Sequence, residues 1–273
     1  MKRSLLSCLA GICLFAASAL CAVAAVSPWA QSDGGKMRIL ALSDGAGKIT
    51  AILEIAPAPG WKTYWRDPGD AGMAPDIDLS AARNLKLVKI SYPVPEISRD
   101  EGGRFFGYHH PISLVLELER PDPELASELN AHVLIGLCKD ICLPFQSAFS
   151  LPLGTLDQPE ADEFMKIQMA KAELPEAPSD SFRITDAALT PDGAFFEVKI
   201  SAPEDGTLEI AAAPSRGVLF GGQPEITSKN GLTHVRFAVR RLPEPPAGAA
   251  VTLLVKSAGR AIETTLAIDE PGR

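Results

Sequence analysis

Aromatic residues are scarce in this 273-residue chain, at 6% of positions, with 3 Trp and 3 Tyr. Basic residues are in deficit too: 26 Lys and Arg face 34 Asp and Glu, a formal charge of −8. A chain of that sign lacks the cationic footprint that neutralises phosphates, which sets nucleic-acid binding aside. No nucleotide-binding glycine loop, Ser-His-Asp arrangement or pair of catalytic acids is present, so cofactor-based catalysis has no motif behind it. Beyond the N-terminus, no apolar run approaches the roughly 20 residues that span a bilayer. What is present is a 46% share of hydrophobic residues, enough for packed cores and against a disordered chain. The 22 Gly and 23 Pro favour many short elements joined by turns over long helices. At roughly 150 residues per domain, the length suggests two domains.

Residues 1–25 read as a secretory signal. Lys2 and Arg3 precede the apolar stretch Leu5–Val23, and small residues Ala22-Val23-Ala24-Ala25 supply the cleavage site, after Ala24 or Ala25. An uncleaved anchor is the alternative; Leu20 before Cys21 is too bulky for the usual lipid-attachment site. Cleavage removes Cys8, Cys13 and Cys21, leaving Cys138 and Cys142, and takes the charge to −10 by removing Lys2 and Arg3. In an oxidising compartment such a lone pair can form a disulfide.

Short apolar runs bounded by turn residues predict strands at Arg38–Leu42, Lys48–Ile55, Leu85–Tyr92, Ile112–Leu118, His132–Leu137 and Gln146–Leu151. The continuous apolar character of Ser113–Leu118 suits a strand buried on both faces. Asp44–Gly47 is a hairpin-turn signal. Gln158–Leu174 differs: acids come early and bases late, as the helix dipole favours, and Pro175–Asp180 reads as a linker. A second strand series follows at Phe182–Ala188, Ala194–Ile200, Thr207–Ala212, His234–Val239, Val251–Lys256 and Ile262–Ile268. The expected fold is all-β, with one β-sandwich at 36–155, a helix and linker at 156–181, and a second sandwich at 182–270. The second half has no cysteine and no clustered catalytic carboxylates, and reads as a packing or docking module.

The chemistry concentrates between Gly60 and Pro144. Cys138 and Cys142 are spaced C-x3-C, unlike the C-x-x-C of thioredoxin-like sites. Four residues of flat strand span about 13 Å, whereas a disulfide needs Cα atoms about 4.4–6.8 Å apart, so bonding demands a sharp bend through Lys139–Ile141. Pro144 disfavours a regular central strand immediately beyond. A stabilising staple is one reading, but closing a loop of about five residues contributes only about 2 kcal/mol in the loop-entropy model. Redox exchange is another. A third is copper(I), held by the two thiolates with His109, His110 and Met73; against it, the histidines lie far off in sequence, and adjacent strand residues face opposite ways. Zinc lacks the spacing of a four-ligand site. Two aromatic clusters accompany the cysteines: Gly60–Gly72, with Trp61, Tyr64 and Trp65, and Asp100–Tyr108, with Phe105 and Phe106 between glycines. Each reads either as part of a groove or flap, or as ordinary core.

The ordered set GWKTYWRDPGDAG (60–72), YPVPE (92–96), GRFFGY (103–108) and CKDICLP (138–144) resembles the N-terminal periplasmic region of the DsbD/ScsB thiol–disulfide interchange family. The short cysteine spacing looks more like the ScsB branch. The resemblance covers residues 36–155 well and the remainder to residue 270 with weaker motifs. It implies immunoglobulin-like sandwiches and a periplasmic location, with Cys138 and Cys142 as the redox-active pair and Cys142 as the partner-linked sulfur. It also implies a cap loop carrying Phe105, with Phe106 beside it, and a place near the sulfurs for Tyr64; Trp61 and Tyr108 of the same aromatic segments are further site-lining candidates. In the family this domain accepts electrons from a membrane-embedded cysteine pair and passes them to periplasmic partners. This chain ends after the second sandwich, so the expected donor is a separate membrane protein or small thiols.

The resulting expectation is a soluble periplasmic thiol–disulfide exchange protein that needs no cofactor or metal beyond its disulfide and transfers electrons to periplasmic thiol–disulfide proteins. Protein-disulfide reductase activity is left open by the residues. The alternatives are a copper(I)-binding or copper-protection module linked to copper tolerance, and a non-catalytic envelope adaptor.

Overall fold

The computed structural model describes residues 25–44, 47–100, 103–154, 161–203, 206–215, 217–229, 231–241 and 248–268. Apart from Ala25, the expected signal peptide lies outside these residues. The first half contains β1 (Ala25–Val26), β2 (Ala30–Ser32), β3 (Gly35–Ser43), β4 (Lys48–Pro57), β5 (Thr63–Gly69), β6 (Asp76–Asp78), β7 (Lys86–Ser91), β8 (Glu96–Asp100), β9 (Gly103–Tyr108), β10 (Ile112–Glu119), β11 (Ser127–Cys138) and β12 (Cys142–Leu153). A helix, α1 (Ala161–Ala172), follows. The second half contains β13 (Arg183–Leu189), β14 (Phe195–Ser201), β15 (Glu209–Pro214), β16 (Leu219–Lys229), β17 (Leu232–Arg241), β18 (Ala250–Ser257) and β19 (Arg260–Ala267).

Among the described residues the ladders between named strands are antiparallel, and the fold is all-β with immunoglobulin-like architecture. In the first half, one sheet runs β1-β3-β4-β10-β7, with β2 on β3; a second runs β12-β11-β6 and a third β5-β9-β8. Their inner faces share a core that includes Met37, Leu53, Trp65, Tyr108, Leu114, Val133 and Leu137. Alternation supplies this face, since residues two apart on a strand point the same way. Strand β10 has two buried faces: Leu114 and Leu116 enter the core, while Val115 meets Ile167 and Ala170 of α1 on the outside. That explains its continuous apolar run. The second half has sheets β13-β14-β17-β16 and β15-β18-β19 around Phe182, Phe196, Val235 and Leu253.

The halves are tied together. The linker is pinned, with Glu176 N–H donating to Ala261 O at 2.9 Å and Arg260 pairing with the Glu176 carboxylate at 2.7 Å. Ala211 and Leu254, from the second half, join the first core. Arg66 of β5 donates to Glu263 of β19 at 2.8 Å.

The twelve expected strands coincide with observed ones. Those not expected include β5, β8, β9 and β16, segments interrupted by Gly, Pro or charged residues, where the apolar run that marks a strand is broken. Pro144 disfavours a central strand, and β12, which runs through it opposite Gly136, is not one. It is the outer strand of its sheet, where a residue without an N–H can leave no ladder bond unmade.

Candidate redox site

Strands β11 and β12 pair without a break from Ser127–Leu153 to Cys138–Cys142. Lys139–Ile141 close the hairpin, with Lys139 N–H donating to Ile141 O at 3.1 Å. The register itself brings the cysteine Cα atoms to 4.0 Å, and the sulfurs are bonded. The bend that the spacing demands is therefore a hairpin turn.

On the other side of β11, the backbones of Lys62 and Cys138 exchange hydrogen bonds of 2.8 and 2.9 Å. Beyond this bridge the chain alternates. Trp61, Thr63 and Trp65 turn toward the core, while Lys62 and Tyr64 turn toward the disulfide. Strand β9 alternates likewise. Phe105 joins Tyr64 and Cys138 in a small buried cluster; Phe106 and Tyr108 enter the main core.

These placements separate residues that the sequence groups together. Phe105 lies on the cysteine side, but on a β-strand rather than a loop tip. Phe106 is on the opposite face, edge-on to Trp65 at 6.4 Å, and is no part of a cover over the sulfurs. Tyr108 is fully buried and donates its hydroxyl to Pro93 O at 2.8 Å, a core role rather than a site-lining one. Trp61 packs against the main core, beside Gly34. In each case the strand alternation decides the face.

The two sulfurs have unequal surroundings. Cys138 is 2% exposed, whereas Cys142 is exposed to solvent. The Tyr64 hydroxyl lies 3.7 Å from Cys142 Sγ, and a disulfide sulfur carries no proton, so the hydroxyl donates. Phe105 meets Tyr64 edge-on at 5.6 Å, His109 at 5.1 Å and the Lys62 ammonium at 4.5 Å from its centroid. Two glycines permit this packing. A Cβ on Gly107 would fall 2.2 Å from Thr63 O and 2.8 Å from the Phe105 ring. A Cβ on Gly72, whose φ is +120°, would fall 2.3 Å from the Tyr64 ring.

An ion pair fastens the hairpin β8–β9 to the end of β5. Asp70 accepts from Arg104 Nη2 at 2.6 Å, Nε at 2.9 Å and the Arg104 backbone N–H at 2.9 Å. These bonds hold the Asp70 carboxyl below the usual range. Glu96 receives the His109 ring at 2.8 Å and lies 3.4 Å from His110. Burial acts to raise the Glu96 carboxyl, but the bonds from His109 and the charges of both histidines outweigh it and hold it low. Met73 lies against Gly136. Among the described residues no group of three or more His, Cys, Asp or Glu converges as a metal site.

Sequence reasoning passed over Lys62, Asp70, Arg104 and the exposed Ile141 of the hairpin turn. Lys62 alone had a legible signal: it is two residues from Tyr64, and hence on the same strand face.

An immunoglobulin-like sandwich carrying a hairpin disulfide, one sulfur buried beneath an aromatic strand and the other open, is the class that fold and site define. Residues 38–153 match the family described as thiol:disulfide interchange protein DsbD, N-terminal. The N-terminal periplasmic domain of ScsB from Proteus mirabilis superposes with a TM-score of 0.68 at 23% identity, over 90% of this chain and 99% of that one. The shared fold thus extends across both sandwiches. A marsupial T cell receptor (9% identity, TM-score 0.22, 89% of this chain and 100% of that one) and a conserved domain protein from Bacillus anthracis (11%, 0.23, 89% and 91%) superpose too weakly to carry an argument. A comparison with curated proteins finds no match.

Proposed function

We propose that this protein is a periplasmic thiol–disulfide exchange protein that passes electrons through Cys138 and Cys142 to partner proteins. The observation that carries this reading is the unequal exposure of the two sulfurs. A partner can reach Cys142 at the surface, while Cys138 stays beneath Phe105, positioned to resolve a mixed disulfide from within. In the reducing direction, the Cys142 thiolate attacks a partner disulfide and joins one partner sulfur, and the other leaves as thiolate. Cys138 thiolate then attacks Cys142, restoring the intramolecular disulfide and releasing the partner reduced. Ile141, exposed in the hairpin turn beside Cys142, offers a partner an apolar contact.

Replacing Cys138 with Ser removes the resolving sulfur. Expressed in the periplasm, the Cys138→Ser protein is expected to accumulate partner adducts that reducing agent releases, and Cys142→Ser none. Absence of adducts with Cys138→Ser, or equal capture by both variants, overturns the reading.

A further inference from the structure

Opening this disulfide puts charge where water is scarce. When a partner thiolate attacks Cys142 Sγ, a new S–S bond joins partner and Cys142. The Cys138–Cys142 bond breaks, and its electron pair leaves on Cys138 Sγ as a thiolate. Cys138 is 2% exposed and packed with Tyr64 and Phe105. A thiolate left uncompensated there is penalised by desolvation, and a poorer leaving group slows exchange.

We infer that the Lys62 ammonium compensates this charge, making Lys62 a positioning residue that sets how fast the disulfide opens; the inference deepens the exchange reading and rests on it. Lys62 and Cys138 are directly opposite in a doubly hydrogen-bonded antiparallel bridge. Residues so paired project to the same face, with Cβ atoms about 5.5 Å apart. The lysine is half-buried. Its Nζ lies 4.5 Å from the centroid of Phe105, a ring in the same buried cluster as Cys138.

The other charged groups nearby are placed differently. Lys139 and Asp140 are in the exposed hairpin turn, where water and salt screen them. His109 touches Phe105 but is bonded to Glu96. The Tyr64 hydroxyl is directed to Cys142. Lys62 is half-buried and lies on the Cys138 side. Phe105 both covers the buried sulfur and holds the ammonium, so a partner that displaces the ring releases the cation as the thiolate forms.

The test is the rate at which excess dithiothreitol reduces the purified oxidised protein, compared among wild type, Lys62→Met and Lys62→Arg. Methionine keeps an apolar stem over Phe105 without the charge; arginine keeps the charge. Reduction of Lys62→Met is expected to slow by about tenfold or more at low salt. Lys62→Arg is expected to stay within about threefold of wild type, because the cation is retained. If Lys62→Met does not fold, Lys62→Gln with the same arginine control serves instead. A neutral variant that folds and is reduced within about twofold of wild type, or an arginine variant as slow as the neutral one, overturns the inference. Dithiothreitol needs no protein partner, so a failure to trap periplasmic adducts and a failure of the lysine effect are separate results.

Discussion

The Tyr64 hydroxyl lies 3.7 Å from Cys142 Sγ while its ring meets Phe105 edge-on at 5.6 Å, so one side chain touches both the exposed sulfur and the cover of the buried one. Tyr64→Phe separates the two contacts by deleting only the hydroxyl. Unfolding stability is expected to fall by about 1 kcal/mol, the usual net worth of a part-buried hydrogen bond. Alkylation of Cys142 in the reduced protein at neutral pH is expected to slow about threefold, because a donor to the thiolate is lost. Urea denaturation and iodoacetamide kinetics check the two halves of this prediction.

Gly107 faces Tyr64 across the β5–β9 ladder, and its missing side chain is the space into which Phe105 leans. Gly107→Ala places a methyl group against the Thr63 carbonyl and the Phe105 ring. The expected cost is about 2 kcal/mol, from overpacking between backbone and a buried aromatic. Displacing Phe105 also uncovers Cys138, so Cys138 in reduced Gly107→Ala should alkylate faster than in wild type. A lower melting temperature with unchanged Cys138 alkylation would show that Phe105 does not govern access.

Arg66 and Glu263 join the two halves at side-chain exposures of 22% and 16%. Burial pushes the Glu263 carboxyl above its ordinary value, against the opposing charges of Arg66 and Lys89. A carboxyl raised in the folded state contributes stability that is fully present below its unfolded value, about 4.3, and lost as pH rises through the folded one. Glu263→Gln should therefore flatten the part of the stability profile that falls with rising pH above about 4.3. Arg66→Met leaves the carboxylate buried beside an apolar chain and is expected to cost about 3 kcal/mol at neutral pH. Denaturation curves across the acid-to-neutral range, read as differences from wild type, test both.

The Asp70–Arg104 pair predicts the opposite sign. Arg104 holds the Asp70 carboxyl low, so its contribution is present above the unfolded value of about 3.9 and lost as pH falls through the folded one. The β8–β9 hairpin should loosen in acid before the sheets do. Hydrogen exchange corrected for intrinsic rates should show protection at the Arg104 amide, which donates to Asp70 at 2.9 Å, falling as the pH drops below the unfolded carboxyl value of about 3.9 while β4 and β10 stay protected. Asp70→Asn should show the same loss at neutral pH.

Much of the fold is legible in local pattern. Ile49–Ile55 and Ile112–Leu118 pair as neighbours β4 and β10, and their apolar runs announce strands because burial on a sheet face requires it. The helix is legible too, with Asp162 and Glu163 in its first turn and Lys171 in its last. The strands that build the site are harder to read. Thr63–Gly69 and Gly103–Tyr108 contain glycine, proline and charge, and they hold together through each other and through Asp70–Arg104 rather than by an apolar run.

The sequence by itself determined that two cysteines four residues apart are the reactive candidates, that a bond between them forces a turn, and that aromatic segments accompany them. Those facts follow from spacing and composition, which are local. Only the tertiary structure decided that Phe105 covers Cys138 while Phe106 and Tyr108 belong to the core, and that Cys138 is buried while Cys142 is open. Strand alternation defines two faces, but which one becomes interior depends on what packs against it. Here that is the bridge from Lys62 to Cys138 on one side of β11, formed between residues 76 positions apart.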